Sequence, residues 1–181
     1  MKNIIGMLIV LTSISLTACG GGGGGSHTTE VVYVAPEVVN YTPDLIRFDI
    51  FDSYGVDTAT SDEALRISAS SIFNVDWKVN SLEDYRVNIR INDSAGIANS
   101  IRVYSEICGS GRACDQSSGV VCEYTSDHFL SCNNSVPEDI IELFPYGAPE
   151  NLYLILEICD IDSPSPTLYC TYDSYPVRME Q

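Results

Sequence analysis

The chain has 181 residues, with 25 aspartates and glutamates against 9 lysines and arginines, a formal charge of −16 and seven cysteines. A surface of that sign repels phosphate backbones and anionic head groups, which disfavours nucleic acid as a partner and disfavours membrane docking by charge. The two histidines, His27 and His128, and cysteine spacings of x5, x7, x9, x26 and x10 after Cys108 do not make a zinc site.

The chain opens with Lys2, runs apolar from Ile4 to Leu16 and reaches Cys19 through small residues, the layout of a secretory leader. Thirteen residues at about 1.5 Å each span about 20 Å, short of the roughly 30 Å hydrocarbon core of a bilayer. Leu16-Thr17-Ala18-Cys19 resembles the lipobox of bacterial lipoproteins. The resemblance implies that 1–18 is a signal peptide removed before Cys19, and that the Cys19 sulfur carries a diacylglyceryl group. An ordinary signal peptide cut at another small residue would leave Cys19 lost or a spare thiol. The six glycines 20–25 fit the anchor, since such a run is a random coil reaching about 15 Å, a spacer between lipid and domain. By the same resemblance, Gly20 where an aspartate would signal inner-membrane retention implies sorting to the outer membrane. Loss of Lys2 makes the remaining chain one unit more acidic, so its membrane partner is reached through the lipid.

Residues 19–42 read as the lipidated cysteine and tether, and 43–181 as one domain. "LIRFDIF" (45–51) is the first predicted strand, and 52–66 reads as irregular and acidic. Phe73, Val75, Trp77 and Val79 alternate with polar residues, as do Tyr85, Val87, Ile89 and Ile91, which is the period of a strand with one buried face. Ile101, Val103, Ser105 and Ile107 form a third such face, paired antiparallel with the second across "NDSAGIANS". "GVVCEY" (119–124) and "HFLSC" (128–132) flank a tight turn that sets Cys122 opposite Cys132. Ser135, Pro137 and Glu138 carry a capping-box signal for a short helix in 135–144. "LYLILEI" (152–158) is apolar on both faces, as a central strand is, and "TLYCTYDSYPVRM" (167–179) follows the turn "DIDSPSP".

About seven short strands with little helix predict an all-β, antiparallel two-sheet sandwich. Val75-Asp76-Trp77 and Tyr85-Arg86-Val87 resemble the core strands of immunoglobulin-like and fibronectin type III domains. "LFPYGAPENLYLILEI" resembles their tyrosine corner, with Tyr153 as the corner residue. The chain departs from that pattern in being about 40 residues longer and in its cysteines.

With Cys19 assigned to lipid, Cys108, Cys114, Cys122, Cys132, Cys159 and Cys170 form an even set in an exported chain, and so a disulfide framework. Fifteen connectivities exist; "SEICG" and "LEICD" both end a strand and enter a loop with another cysteine, which favours Cys108–Cys114, Cys122–Cys132 and Cys159–Cys170. A link between strand ends, Cys108–Cys159, is the rival.

No GxSxG, HExxH, P-loop or GxGxxG motif occurs, "CGSGRAC" lacks the context of a phosphate cradle, and His128 reads as a solvated turn residue, so no catalytic or cofactor site is predicted. Calcium is the one candidate cation: Asp49, Asp52 and Asp57, with Asp62 and Glu63, fall close together, and Asp160 and Asp162 share a loop. With 25 acids in the chain, such groupings also read as solvated loops. Tyr104, Tyr124, Tyr172 and Tyr175 could form a binding face for protein or sugar, or pack half-buried as strand tyrosines do. The expected function is a non-catalytic binding or structural module of the bacterial cell envelope, anchored to the outer membrane, with an envelope protein or glycan as partner. The alternative is a calcium-dependent or carbohydrate-binding surface module.

Overall fold

The computed structural model describes residues 40–161 and 168–181. The leader, Cys19, the tether as far as residue 39 and Asp162 lie outside them. Ten strands form: β1 (Asp44–Asp52), β2 (Leu65–Ser68), β3 (Ser71–Asn80), β4 (Tyr85–Asn92), β5 (Ile101–Cys108), β6 (Ser117–Tyr124), β7 (Phe129–Cys132), β8 (Glu138–Asp139), β9 (Glu150–Asp160) and β10 (Cys170–Glu180). One sheet has the order β1-β3-β6-β7-β8 and is antiparallel. The other has the order β2-β10-β9-β4-β5 and is mixed, because β2 runs parallel to β10. The domain is an all-β, disulfide-stapled sandwich of two sheets, compatible with an immunoglobulin-like fold.

Alternation in the sequence builds the core directly. Phe73, Val75, Trp77 and Val79 are buried on β3, and face Tyr85, Val87, Ile89 and Ile91 of β4 and Leu152, Leu154, Leu156 and Ile158 of β9 in one apolar cluster. Each large side chain removed from water there contributes about 1.5–3 kcal/mol. β9 is buried on both faces, as its unbroken apolar run requires of a strand with neighbours on each side.

Three local readings are corrected. The segment 135–144 is not a helix: it holds the two-residue β8 and a single 3-10 turn at Ile141–Leu143. Ser135 does not cap; its hydroxyl accepts the Cys132 N–H at 3.2 Å and donates to the Val103 carbonyl at 3.1 Å, a tertiary link that outcompetes the local signal. The acidic stretch 52–66 runs into β2, whose four residues form a strand by pairing with Val177–Glu180. On β5, Ile89 opposes Tyr104 while Arg90 opposes Arg102, so Val103 is the extra residue of a bulge. The bulge turns the inward face to Tyr104 and Cys108, and leaves Ser105 and Ile107 exposed.

Tyr153 is half-buried on the outward side of β9, between Asn92 and Pro176. The tyrosine hydroxyl that reaches back to the main chain belongs to Tyr85, which donates to the Asp115 carbonyl.

The structure contains the disulfides Cys108–Cys114, Cys122–Cys132 and Cys159–Cys170. The second and third join residues directly opposed in the register of β6 with β7 and of β9 with β10. Gly109, just after the first, has φ +146°, and a Cβ there would lie 2.9 Å from the Asp84 Cα, so the loop closes only with glycine.

Candidate functional site

Among the described residues, β1 is the edge of its sheet, and β2 pairs with β10 only over Val177–Glu180. No other described strand pairs with residues 171–176 on the side away from β9. These two half-edges flank a cleft of about 310 Å3, at the small end of the roughly 300–1,000 Å3 typical of ligand sites. Its floor is the Phe48 ring, whose centroid lies 5.3 Å from that of Tyr175. Arg47 and Asp49 of β1 and Thr171, Tyr172 and Asp173 of β10 border it.

The local chain geometry explains this lining. Leu45 opposes Val79 and Arg47 opposes Lys78, so Ile46 is an extra residue in β1. This bulge keeps Phe48 and Ile50 facing the core and sets Arg47 and Asp49 on the opposite side, where they form an ion pair at 2.8 Å. On β10, Asp173 falls on the inward side with Tyr175, Val177 and Met179, yet lies exposed where no described strand covers it. Its Oδ1 accepts the Ser174 N–H at 2.8 Å. The Tyr175 phenol is held above its ordinary pKa, first by burial and then by the negative charges of Asp173 and Asp49. The cleft is polar at its rim, with Asp49 and Asp173 near the Tyr175 phenol and the Phe48 ring buried beneath.

Of the four candidate tyrosines, Tyr172 and Tyr175 share β10 but fall on opposite faces of it, Tyr172 opposite Glu157 and Tyr175 opposite Leu154. Tyr172 is 49 % exposed, whereas Tyr104 and Tyr124 are core residues. The Tyr104 phenol is pushed up to about 12, by burial first and then by its hydrogen bond to Glu106. Tyr124 is raised by burial.

The candidate calcium ligands are not gathered. Asp49 is paired with Arg47, and Asp52 Oδ1 accepts the N–H groups of Val56 at 2.7 Å and Asp57 at 3.2 Å. Asp160, at the end of β9, accepts the Tyr41 N–H at 3.0 Å. Asp57 is exposed, and Asp162 lies outside the described residues. Among those described, the one group of three possible ligands within 4.8 Å is Glu157, Cys159 and Cys170, and its two sulfurs are joined to each other.

His128 is not solvated. It is 8 % exposed, its Nδ1 lies 3.0 Å from the Tyr124 hydroxyl and its Nε2 3.2 Å from the Gln181 amide nitrogen. Its ring packs 4.3 Å from that of Phe144. This is a structural histidine. On the outward side of β9, Glu157 is 2 % exposed and accepts from Arg90 Nε at 2.8 Å and Asn88 Nδ2 at 3.0 Å. That ion pair satisfies a buried carboxylate.

Sequence reasoning missed Arg47, Phe48 and Asp173. One signal was available: an aspartate at an inward position of an otherwise apolar alternation marks a place where the sheet is uncovered.

No protein-family model matches this chain, and no curated protein matches it.

Proposed function

We propose that this protein is a lipid-anchored, non-catalytic binding module of a bacterial cell envelope, held on the outer membrane through Cys19. The observation that carries this reading is the cysteine accounting. All six cysteines of the domain pair with one another, leaving Cys19, next to the lipobox-like sequence and the glycine run, as the one thiol outside the framework. Three disulfides also suit an oxidising compartment. The glycine tether would let the domain sample partners near the membrane.

Fractionation of cells producing the full chain, with and without Cys19→Ser, tests the anchor. The reading expects the parent chain in the outer-membrane fraction and in the detergent-rich phase, and the variant in neither. An identical distribution of the two would overturn it.

A second reading, a carbohydrate-binding surface module, is favoured by Tyr172, whose ring is 49 % exposed on the outward side of β10. Calcium dependence would need Asp49 released from Arg47 and Asp52 from its turn. A rise in melting temperature at millimolar calcium, reversed by chelator, would support it.

A further inference from the structure

We propose that Glu157, Cys159 and Cys170 form a reduction-gated site for a thiophilic divalent cation such as zinc, closed while the two sulfurs are joined and opened when a dithiol reduces them. The site goes beyond the binding-module reading and does not depend on the anchor.

The three disulfides are housed differently. Cys108, Cys114, Cys122 and Cys132 belong to the apolar core cluster and are at most 1 % exposed. Cys159 and Cys170 stand outside that cluster, and Cys170 is half-buried. Register explains the difference. β9 turns Leu154, Leu156 and Ile158 toward the core, so Glu157 and Cys159 fall on its outward face, with Cys170 directly across from Cys159. In thiol–disulfide exchange a thiolate must reach a sulfur, so access makes this the bond a reductant meets first. The step moves two electrons and two protons from the dithiol to the protein: one S–S bond breaks, two S–H groups form, and the reductant closes its own disulfide.

Opening the bond leaves two thiols beside a carboxylate already in place. A Glu157 oxygen and the two sulfurs lie within 4.8 Å of one another. In a tetrahedral zinc site, with Zn–S about 2.3 Å and Zn–O about 2.0 Å, neighbouring ligand atoms stand roughly 3.5–3.8 Å apart. Side-chain rotations therefore complete the set. Glu157 is oriented for the role, since Arg90 at 2.8 Å and Asn88 at 3.0 Å both bond its Oε2 and leave Oε1 for the cation. Two thiolates and a carboxylate exceed the charge of a divalent cation by one, which the Arg90 guanidinium offsets. Sulfur ligands select zinc or cadmium over calcium and magnesium. The cation enters from the half-buried Cys170 side, solvent takes the fourth position, and the two thiol protons are released.

The test uses the full chain in detergent micelles, treated with dithiothreitol under native conditions and freed of it without oxygen, with cadmium as the probe. Alkylation and peptide mapping should find new thiols at Cys159 and Cys170 and none at Cys108, Cys114, Cys122 or Cys132. A single cadmium should then bind with thiolate-to-metal charge-transfer absorption, which carboxylates elsewhere on the acidic surface do not give, and zinc should displace it. Glu157→Gln keeps the shape and an oxygen acceptor; it should weaken cadmium binding by at least about tenfold, the effect of losing even an outer partner of a metal ligand. Cys159→Ala with Cys170→Ala should abolish the absorption, and the untreated chain should not show it. Thiols appearing first at a core disulfide would overturn the proposal, as would loss of the folded sheet on this reduction. So would a folded, reduced chain without the absorption, or cadmium affinity that Glu157→Gln leaves unchanged. The anchor is judged separately, because an unlipidated Cys19 would map as a thiol before any reduction.

Discussion

Where β5 meets β7 and β8 the sandwich is sealed. Tyr104 is buried beside Val103, the Ser135 hydroxyl ties the β7 end to the Val103 carbonyl, and Leu130 and Cys132 are wholly inaccessible. Where β1 meets β10 it is open among the described residues: Phe48 and Tyr175 touch, but Asp173 faces solvent, since β2 pairs with only the last four residues of β10, and Tyr172 is exposed on the outer face. The same residue type therefore does different work on the two flanks. A tyrosine on the sealed flank is part of the core, while Tyr172 on the open flank is half exposed to solvent. Substitutions on the sealed flank should accordingly cost stability, and those on the open flank should cost little.

The largest effect is expected from removing Cys122–Cys132 with the paired change Cys122→Ala and Cys132→Ala. Loss of loop closure and a small cavity together should lower unfolding stability by about 3–5 kcal/mol in urea titration. Leu130→Ala, on the same strand, should cost about 3 kcal/mol through its cavity, with the denaturant slope unchanged. His128→Ala leaves the buried Tyr124 hydroxyl without its nitrogen partner and should cost about 1–3 kcal/mol. A loss comparable to zero in any of these would mean that the sealed flank is not packed as described.

Alkaline titration sharpens the contrast. The Tyr104 pKa is about 12 in the folded protein against an ordinary value of 10, so the unfolded chain gives up this proton first. Its contribution to stability is present below pH 10 and is lost as pH rises from about 10 to 12. The melting temperature should fall across that interval, in step with tyrosinate absorbance. Tyr104→Phe should flatten part of the fall. The smallest stability effect belongs to Tyr172→Ala, which should change unfolding by no more than about 0.5 kcal/mol, since the ring is half exposed. A cost of several kcal/mol there would show that the open flank is not open.

How much of this was legible in the sequence follows from how local each cause is. The β3 and β4 faces were readable because every second residue over four repeats is apolar, and the turn after β6 was readable because its two cysteines sit symmetrically about it. β2 was not, since four residues carry too little alternation and the strand depends on partners more than a hundred positions away. The helix signal at Ser135 was real as local chemistry, but the same hydroxyl finds stronger use bridging Cys132 and Val103. The β5 face was misread because one extra residue, Val103, reverses the alternation. Tyr172 and Tyr175 were readable as candidates by type. Their separation from Tyr104 and Tyr124 was not, because it is decided by which flank the other sheet covers, and Arg47 and Phe48 reach the cleft only through that pairing of distant strands.

Intact mass spectrometry of the membrane-extracted protein tests the anchored-module account most directly. The account predicts a chain beginning at Cys19, heavier than its sequence by a thioether-linked diacylglyceryl group, lighter by the hydrogens lost to three disulfides, and reduced by two fatty acids after mild alkaline ester hydrolysis. A mass equal to an unmodified chain, unchanged by that treatment, would contradict it.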